Sequence, residues 1–237
     1  MKESLKIKID KAIQLLRDNQ PNDDKGYGLA FSGGKDSIVI KQLAIESGVK
    51  FKAFYSQTTI DHPELVQYIK KHHADVEWIY AKLGFFGLMI KKGLPPNFRQ
   101  RYCCYELKEQ SLKEFQTKII GVRASESIRR AKRWKEVVED NQRKGYFIVC
   151  PIVDWTDEDV WEFIRDRNLP YCELYDKGYK RLGCIACPLT SVKNIKKELK
   201  NNPQFDKAMR KTFDVMWEKW HNKVMPARGK YPERLHF

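Results

Sequence analysis

Apolar positions in the first part of the chain change from helical spacing to a short continuous run. Residues 3–19 carry an apolar residue at every third or fourth position, which predicts an amphipathic helix. The next segment, 21–26, is rich in Asp and also holds Pro and Gly, which predicts a loop. It leads into residues 27–31, whose composition is typical of a buried strand. The chain therefore opens with a helix, a loop and a strand.

The alternation of helical spacing with short apolar runs continues beyond residue 160. Short apolar runs predict four further strands, at 51–55, 76–80, 119–122 and 146–150. Helical spacing predicts helices around them, at 38–46, 63–73, 106–117 and after Thr156. Pro63 suits the first turn of a helix, and Thr156 with Asp159 three residues later resembles a capping box.

Strands that alternate with helices predict an α/β fold, a doubly wound five-stranded parallel sheet with helices on both faces. Ligands of such sheets bind at the carboxyl ends of the strands. We therefore expect Ser32, Ser56, Arg123 and the segment after Cys150 to surround one crevice. With no internal repeat, the sequence predicts one nucleotide-binding domain over residues 1–190 and a helical extension over 191–237 packed on it.

The extension is the most basic part of the chain. It holds twelve Lys or Arg against five acidic residues. Its large apolar residues recur at helical spacing: Phe205, Met209, Phe213, Met216, Trp217 and Trp220. Two interpretations follow, a basic helix that binds nucleic acid and an apolar stripe that packs on the core with solvated lysines opposite.

Composition agrees with a folded, cationic protein. Of 237 residues, 42% are hydrophobic and 12% aromatic, which provides a sizeable core and excludes global disorder. The formal net charge is +14 and the pI about 9.4. Such a surplus favours phosphates or nucleic acid as partners, and a lysine-rich solvated surface is the alternative.

The expected compartment is the cytoplasm, with no membrane contact. No apolar stretch is long enough to cross a bilayer. The N-terminal residues are charged and lack the apolar centre of a signal peptide. Cytoplasmic thiols stay reduced, so the six cysteines indicate metal binding or redox chemistry rather than a disulfide framework. His62, His72 and His73 have no partnering ligand pattern and are expected at the surface.

A phosphate-binding loop is predicted between the first strand and the next helix. This segment reads Ser32-Gly33-Gly34-Lys35-Asp36-Ser37. The glycines permit a sharp bend that turns backbone N–H groups toward one point, and the helix adds its positive end. Lys35 would neutralise anionic oxygens, and Asp36 would hold Mg²⁺ or orient a group at the phosphorus. The segment is neither a Walker A loop nor a dinucleotide fingerprint; an ordinary turn rich in small residues is the alternative.

Four cysteines in two short segments predict a metal centre. They are Cys103, Cys104, Cys184 and Cys187. Four thiolates can enclose one ion or cluster. The adjacency of the first two favours an iron–sulfur cluster, and zinc is the alternative for a tetrathiolate set.

The loop resembles the PP-loop of the adenine nucleotide α-hydrolase-like superfamily, which includes ATP pyrophosphatases and the adenylyl-sulfate (APS) and phosphoadenylyl-sulfate (PAPS) reductases. Further matching motifs occur in the family's order over about residues 27–190: Arg101–Cys104, Gly121–Arg123 with Ser127 and Arg129-Arg130, Pro151–Trp161, Leu169–Tyr171, Tyr175–Tyr179 and Gly183–Cys187. The resemblance implies a five-stranded parallel sheet and a [4Fe-4S] cluster on the four cysteines. It also implies that Arg123, Arg129 and Arg130 reach substrate phosphate or sulfate, a task that suits guanidinium groups.

One departure from the family concerns the nucleophile. APS and PAPS reductases attack sulfur with a cysteine near the C-terminus, in a Glu-Cys-Gly-type motif, whereas this sequence has no cysteine after Cys187. Cys150 and Cys172 are the remaining cysteines, and a buried inert thiol is the expected role of both.

Three functions are compatible with these features. The favoured one is ATP-dependent adenylylation of an acceptor followed by thiolation, with Mg²⁺, the catalytic residues Lys35, Asp36 and Arg123, and a sulfur-donor protein. The acceptor could be a nucleic acid bound by the extension. The first alternative is APS or PAPS reduction with an external thiol or reductant protein. The second is a non-catalytic nucleic-acid-binding or redox-sensing module.

Overall fold

Six strands form the sheet in the described part of the chain. A computed structural model describes residues 1–109, 112–140 and 143–224, without the side chains of 220–224. The strands are β1 (Tyr27–Ala30), β2 (Phe51–Gln57), β3 (Glu77–Tyr80), β4 (Thr117–Ile119), β5 (Val137–Glu139) and β6 (Phe147–Val149). Their order is β3-β2-β1-β4-β6-β5. The chain moves outward from β1 in both directions, as in a doubly wound sheet.

Helices cover the sheet and form the extension. They are α1 (Glu3–Asp18), α2 (Lys35–Ser47), α3 (Pro63–His72), α4 (Phe85–Lys92), α5 (Tyr102–Cys104), α6 (Ile128–Arg133), α7 (Asp157–Asp166), α8 (Val192–Asn201) and α9 (Pro203–Val224). The capping box at Thr156 is present, because its hydroxyl accepts from the Asp159 N–H and the Asp159 carboxylate accepts from the Thr156 N–H. None of the described helices is both long and apolar enough to cross a bilayer.

The expected α/β fold is present, but the five-stranded parallel sheet has a sixth member. β1, β2, β3, β4 and β6 are parallel to their neighbours, whereas β5 pairs with β6 in the antiparallel direction. β5 is only three residues long and partly buried, so its apolar pattern is too short to indicate a strand.

The predicted helix 106–117 and the strand after it were also placed wrongly. The segment Tyr105–Glu109 is one π-helical turn that continues α5, and β4 already begins at Thr117. Leu112 and Phe115 between them are buried against Phe54 of β2. These two residues pack against β2, and the segment therefore does not form the continuous helix that was predicted.

Two of the three histidines expected at the surface are buried. His73 lies against Lys41, with 3.2 Å between its Nδ1 and the Lys41 Nζ, and its Nε2 is 2.8 Å from the Tyr68 hydroxyl. His62 Nε2 is 3.3 Å from a carboxylate oxygen of Glu198 in α8. Each has a polar partner supplied by another element, which is why a buried imidazole is tolerated there.

The extension packs on the domain through part of its apolar stripe. Phe205, Met209 and Met216 of α9 contact an apolar cluster that includes residues of α4. Phe213 and Trp217 are 42% and 41% exposed. The side chain of Trp220 and residues 225–237 lie outside the described residues. The part of the apolar stripe of α9 that faces α4 therefore packs against the domain.

Candidate functional site

The loop between β1 and α2 bends sharply at Gly33. The φ angle of Gly33 is +71°, and a Cβ there would lie 2.7 Å from the Cδ1 atoms of both Leu65 and Ile69 in α3. Only glycine satisfies both the backbone angle and this close approach. The bend directs the N-terminus of α2 to the carboxyl end of β1, where a helix stabilises an anion.

A cavity of about 200 Å³ lies at this end of the sheet. Its walls come from the loop, the segment after β4, the turn before α6 and the segment before Cys184: Ala30, Ser32, Gly34, Lys35, Asp36, Ser37, Gly121, Val122, Glu126, Arg130, Tyr175, Arg181 and Leu182. The carboxyl ends of β1 and β4 thus open into one crevice, as a doubly wound sheet requires.

The segment from Tyr175 to Leu182 closes the cavity over the loop. The Tyr175 hydroxyl accepts a hydrogen bond of 2.9 Å from the backbone N–H of Lys35. The Lys35 side chain is 2% exposed, and its Nζ lies 3.2 Å from the carbonyl oxygen of Lys180 and 3.1 Å from Asp157 Oδ1. A hydroxyl therefore already occupies one N–H at the positive end of α2.

Arg123 holds Asp36 from behind the cavity wall. Its Nε lies 2.6 Å from Asp36 Oδ1, and its Nη2 lies 2.9 Å from Asp157 Oδ1. Burial alone would raise the pKa of Asp157, but the hydrogen bonds and charges of Lys35 and Arg123 outweigh it and lower that pKa. Arg123 is 4% exposed and does not line the cavity, so in this arrangement it orients Asp36.

The remaining predicted phosphate ligands divide into two groups. Arg130 lines the cavity and is paired with Glu126. Ser56, near the end of β2, and Arg129, which is exposed on α6, are not among the lining residues.

Sequence reasoning missed several groups at this site. Asp157 and Tyr175 were noticed only as parts of matching motifs, and Glu126 and Arg181 were not singled out. For Asp157, its position in the first turn of the helix that follows β6 was the available signal, because that turn lies at the carboxyl end of the sheet.

The two cysteine segments of the predicted metal centre lie next to each other. Cys103 is near Cys184, and both contact the apolar cluster between α4 and α9. Cys184 forms a β-bridge with Asp61, and its sulfur is 3.6 Å from the Thr58 hydroxyl. All six cysteines of the chain are free thiols.

Two basic residues, Arg101 and Lys108, lie near three of these thiols. A hydrogen bond from Cys103, followed by the hydrogen bond and charge of Arg101, lowers the pKa of Cys104. Lys108 lies close to Cys184 and Cys104. This donor set fits a thiolate-bound metal by its chemistry. However, no three His, Cys, Asp or Glu residues within the described ranges are arranged to hold an ion as they stand. Binding would require the sulfur atoms to draw closer.

Cys150 and Cys172 are poor nucleophiles in this structure. Both are 0% exposed. Burial raises the pKa of Cys172, and raises that of Cys150 to about 12. A thiolate at either position is therefore disfavoured, which agrees with the inert role expected for them.

Comparison with known proteins points to one family. The model of the phosphoadenosine phosphosulfate reductase domain matches residues 27–190. An adenosine 5'-phosphosulfate reductase of Oceanobacillus iheyensis is 42% identical over 54% of this chain and 51% of its own length. An uncharacterized protein of Methanocaldococcus jannaschii is 26% identical over 89% of this chain and 44% of its own. The chain spans about half the length of the curated relatives it matches.

A solved structure shares the fold. The phosphoadenylyl-sulfate reductase from Candida auris, in its phosphate complex, aligns with a TM-score of 0.57 at 16% identity, over 78% of this chain and 96% of that one. The ordered motifs, the doubly wound sheet and the family match over residues 27–190 agree. The chain therefore belongs to the phosphoadenosine phosphosulfate reductase family of the PP-loop superfamily.

Proposed function

We propose that the cavity binds an adenine nucleotide and catalyses ATP-dependent adenylylation of an acceptor oxygen, which sulfur then replaces. In the first step the acceptor oxygen attacks the α-phosphorus of ATP, and the bond to the β-phosphate oxygen breaks to release pyrophosphate. In the second, a sulfur nucleophile displaces AMP from the activated carbon. The observation that carries the proposal is a glycine-bent loop that opens, with Lys35 and Asp36, into the cavity at the end of β1.

Each residue has a task that its contacts support. The backbone N–H groups of residues 32–36 would bind the pyrophosphate oxygens, since that of Ser37 donates to the Gly34 carbonyl oxygen. Asp36 would hold Mg²⁺, and Arg123 orients its carboxylate through the 2.6 Å contact. Lys35 and Arg130 would balance the charge that develops on the leaving oxygens. Since Tyr175 already accepts from the Lys35 N–H, phosphate binding would share or displace that hydroxyl.

The cysteines would serve the second step. Cys103, Cys104, Cys184 and Cys187 would hold a [4Fe-4S] cluster, or zinc as the alternative, because all four are free thiols and three of them lie near Arg101 or Lys108. The bound centre would supply a site for sulfur delivery or positioning. A sulfur-donor protein is the partner implied.

The relatives named adenosine 5'-phosphosulfate reductase favour a second candidate. In it, an external thiolate attacks the sulfur atom of APS or PAPS. The bond between this sulfur and the phosphate oxygen breaks, and the nucleotide leaves with its phosphate group. The thiol must come from a partner or small molecule, because Cys150 and Cys172 are buried and no cysteine follows Cys187.

Pyrophosphate release distinguishes these functions. With ATP and a mixture of nucleic acids supplied as acceptor, we expect Mg²⁺-dependent pyrophosphate release that is abolished in Asp36→Asn, a substitution that preserves shape but removes the charge. Asp10→Asn, at an exposed position on α1, is the matched control and should keep full activity. Turnover of APS or PAPS with added thiol, without ATP turnover, would establish the second candidate. Nucleic-acid binding without turnover of any of the three would support the non-catalytic alternative.

A further inference from the structure

The basic residues of this chain differ in whether they have acidic partners. All three lysines of α1, Lys6, Lys8 and Lys11, contact carboxylates, with distances of 3.1 Å to Glu3 and 2.6 Å to Asp159 for the first two. The four lysines of α8 have no carboxylate within 4.0 Å among the residues that the structure describes. They are Lys193, Lys196, Lys197 and Lys200.

These four lysines form one continuous face. Their spacing of three and four residues places them on the same side of α8, and all four are exposed. The opposite side is held against the protein, where Glu198 contacts His62 and where Ile195 and Leu199 are half-buried. The apolar side of α8 is therefore engaged within the protein, whereas insertion into a lipid interface requires such a side to be available.

A second group of basic residues lies on α6. Arg129, Lys132 and Arg133 are exposed, and in the described part of the chain none has a carboxylate within 4.0 Å. The segment Tyr179–Arg181 lies between the two helices. Tyr179 is close to Glu198 of α8, and Arg181 lies 3.5 Å from Glu126 just before α6.

Because Arg181 also lines the cavity, this segment connects the cavity to both helices. We propose that the lysine face of α8, continued by α6, binds the phosphate backbone of a nucleic acid and presents it to the cavity. The inference rests on the proposed function in one respect, namely that the nucleic acid is the acceptor. Charge complementarity carries it: phosphates repeat along a strand as these unpaired cations repeat along the surface.

Fluorescence anisotropy tests this surface with the full chain. The probes are an RNA hairpin, single-stranded DNA and duplex DNA, each titrated over a series of salt concentrations without nucleotide. In the test variant, Lys193, Lys196, Lys197 and Lys200 are all replaced by Gln. In the matched control, the same replacement is made at four exposed lysines near the amino ends of the strands, which also lack a carboxylate partner among the described residues: Lys50, Lys71, Lys113 and Lys144.

The expected effect follows from counterion release. Losing four phosphate contacts makes the plot of log affinity against log salt shallower by about 3, at about 0.7 per contact for a single strand. The affinity then falls on the order of 100-fold at about 0.15 M salt, whereas the control variant stays within a few-fold of wild type. Replacing only Lys193 and Lys200 should give about half the change in slope, and equal melting temperatures would show that these variants fold.

Several results would overturn the proposal: unchanged binding in the test variant, an equal loss in the control variant, or tighter binding to phosphatidylserine vesicles or polyglutamate than to any nucleic acid. ATP binding is measured on the same proteins and should not change, because α8 lies outside the cavity. Nucleic-acid binding without pyrophosphate release would refute the proposed function and leave the docking surface in place.

Discussion

Replacing Gly33 by Ala tests whether the loop needs its close contact with α3. Two costs are expected. The φ angle of +71° is unfavourable for a residue with a Cβ by about 1–2 kcal/mol. The new methyl group would also meet Leu65 and Ile69 at 2.7 Å. Both are almost fully buried, so overpacking should add about 1–3 kcal/mol.

Gly48 provides a control with the same backbone angle. Its φ is also +71°, but a Cβ there would meet no atom within 4 Å. Gly48→Ala therefore has only the conformational cost, and both substitutions reduce the freedom of the unfolded chain equally. The difference between the two variants isolates the contact with α3.

Urea denaturation followed by circular dichroism measures this difference. We expect Gly33→Ala to lower the free energy of unfolding by about 1–3 kcal/mol more than Gly48→Ala. The melting temperatures should then differ by about 2–12 °C for a chain of this size. Gly33→Ala should also weaken ATP binding, because the methyl group displaces the loop whose N–H groups would hold phosphate. Equal destabilisation of both variants would refute the reasoning.

Three further predictions concern the ion pairs, the thiols and a buried histidine. Arg123→Lys cannot bridge two carboxylates, so kcat for pyrophosphate release should fall about 100-fold with little change in KM; steady-state kinetics would contradict this if KM alone rose. Cys103→Ser and Cys184→Ser should lose the iron and sulfide, or the zinc, of anaerobically purified protein, whereas Cys150→Ser should retain them; equal metal content in all three variants would argue against the four-cysteine site. Burial and then the charge of Lys41 lower the pKa of His73 to about 4. Between about pH 6.5 and pH 4 the unfolded state therefore binds more protons, so the melting temperature should fall as the pH decreases through this window. His73→Gln should flatten that part of the profile, and an unchanged profile would exclude His73 as the cause.

Local patterns predicted most of the sheet and its phosphate loop. The sequences of β1, β2, β3 and β6 are apolar enough to indicate strands. The loop after β1 contains the glycines that bend it, and helix α2 begins within this loop. The errors occurred where longer-range packing decided the structure. Leu112 and Phe115 have helical spacing but pack on Phe54 instead. β5 is too short to be recognised without its partner β6.

The sequence by itself determined the class of fold, the bend at Gly33 and the four thiols, because these depend on periodicity, backbone freedom and residue type. Only the tertiary structure decided which side chains meet. Arg123 binds Asp36, 87 positions away, instead of lining the cavity, and the Tyr175 hydroxyl reaches the N–H of Lys35 across 140 positions. The tertiary structure also decided that the apolar stripe of α9 packs on the domain, whereas the lysine face of α8 has no carboxylate partner among the described residues. The reason is that the partner of a charged or polar group depends on how distant elements pack, which no local spacing encodes.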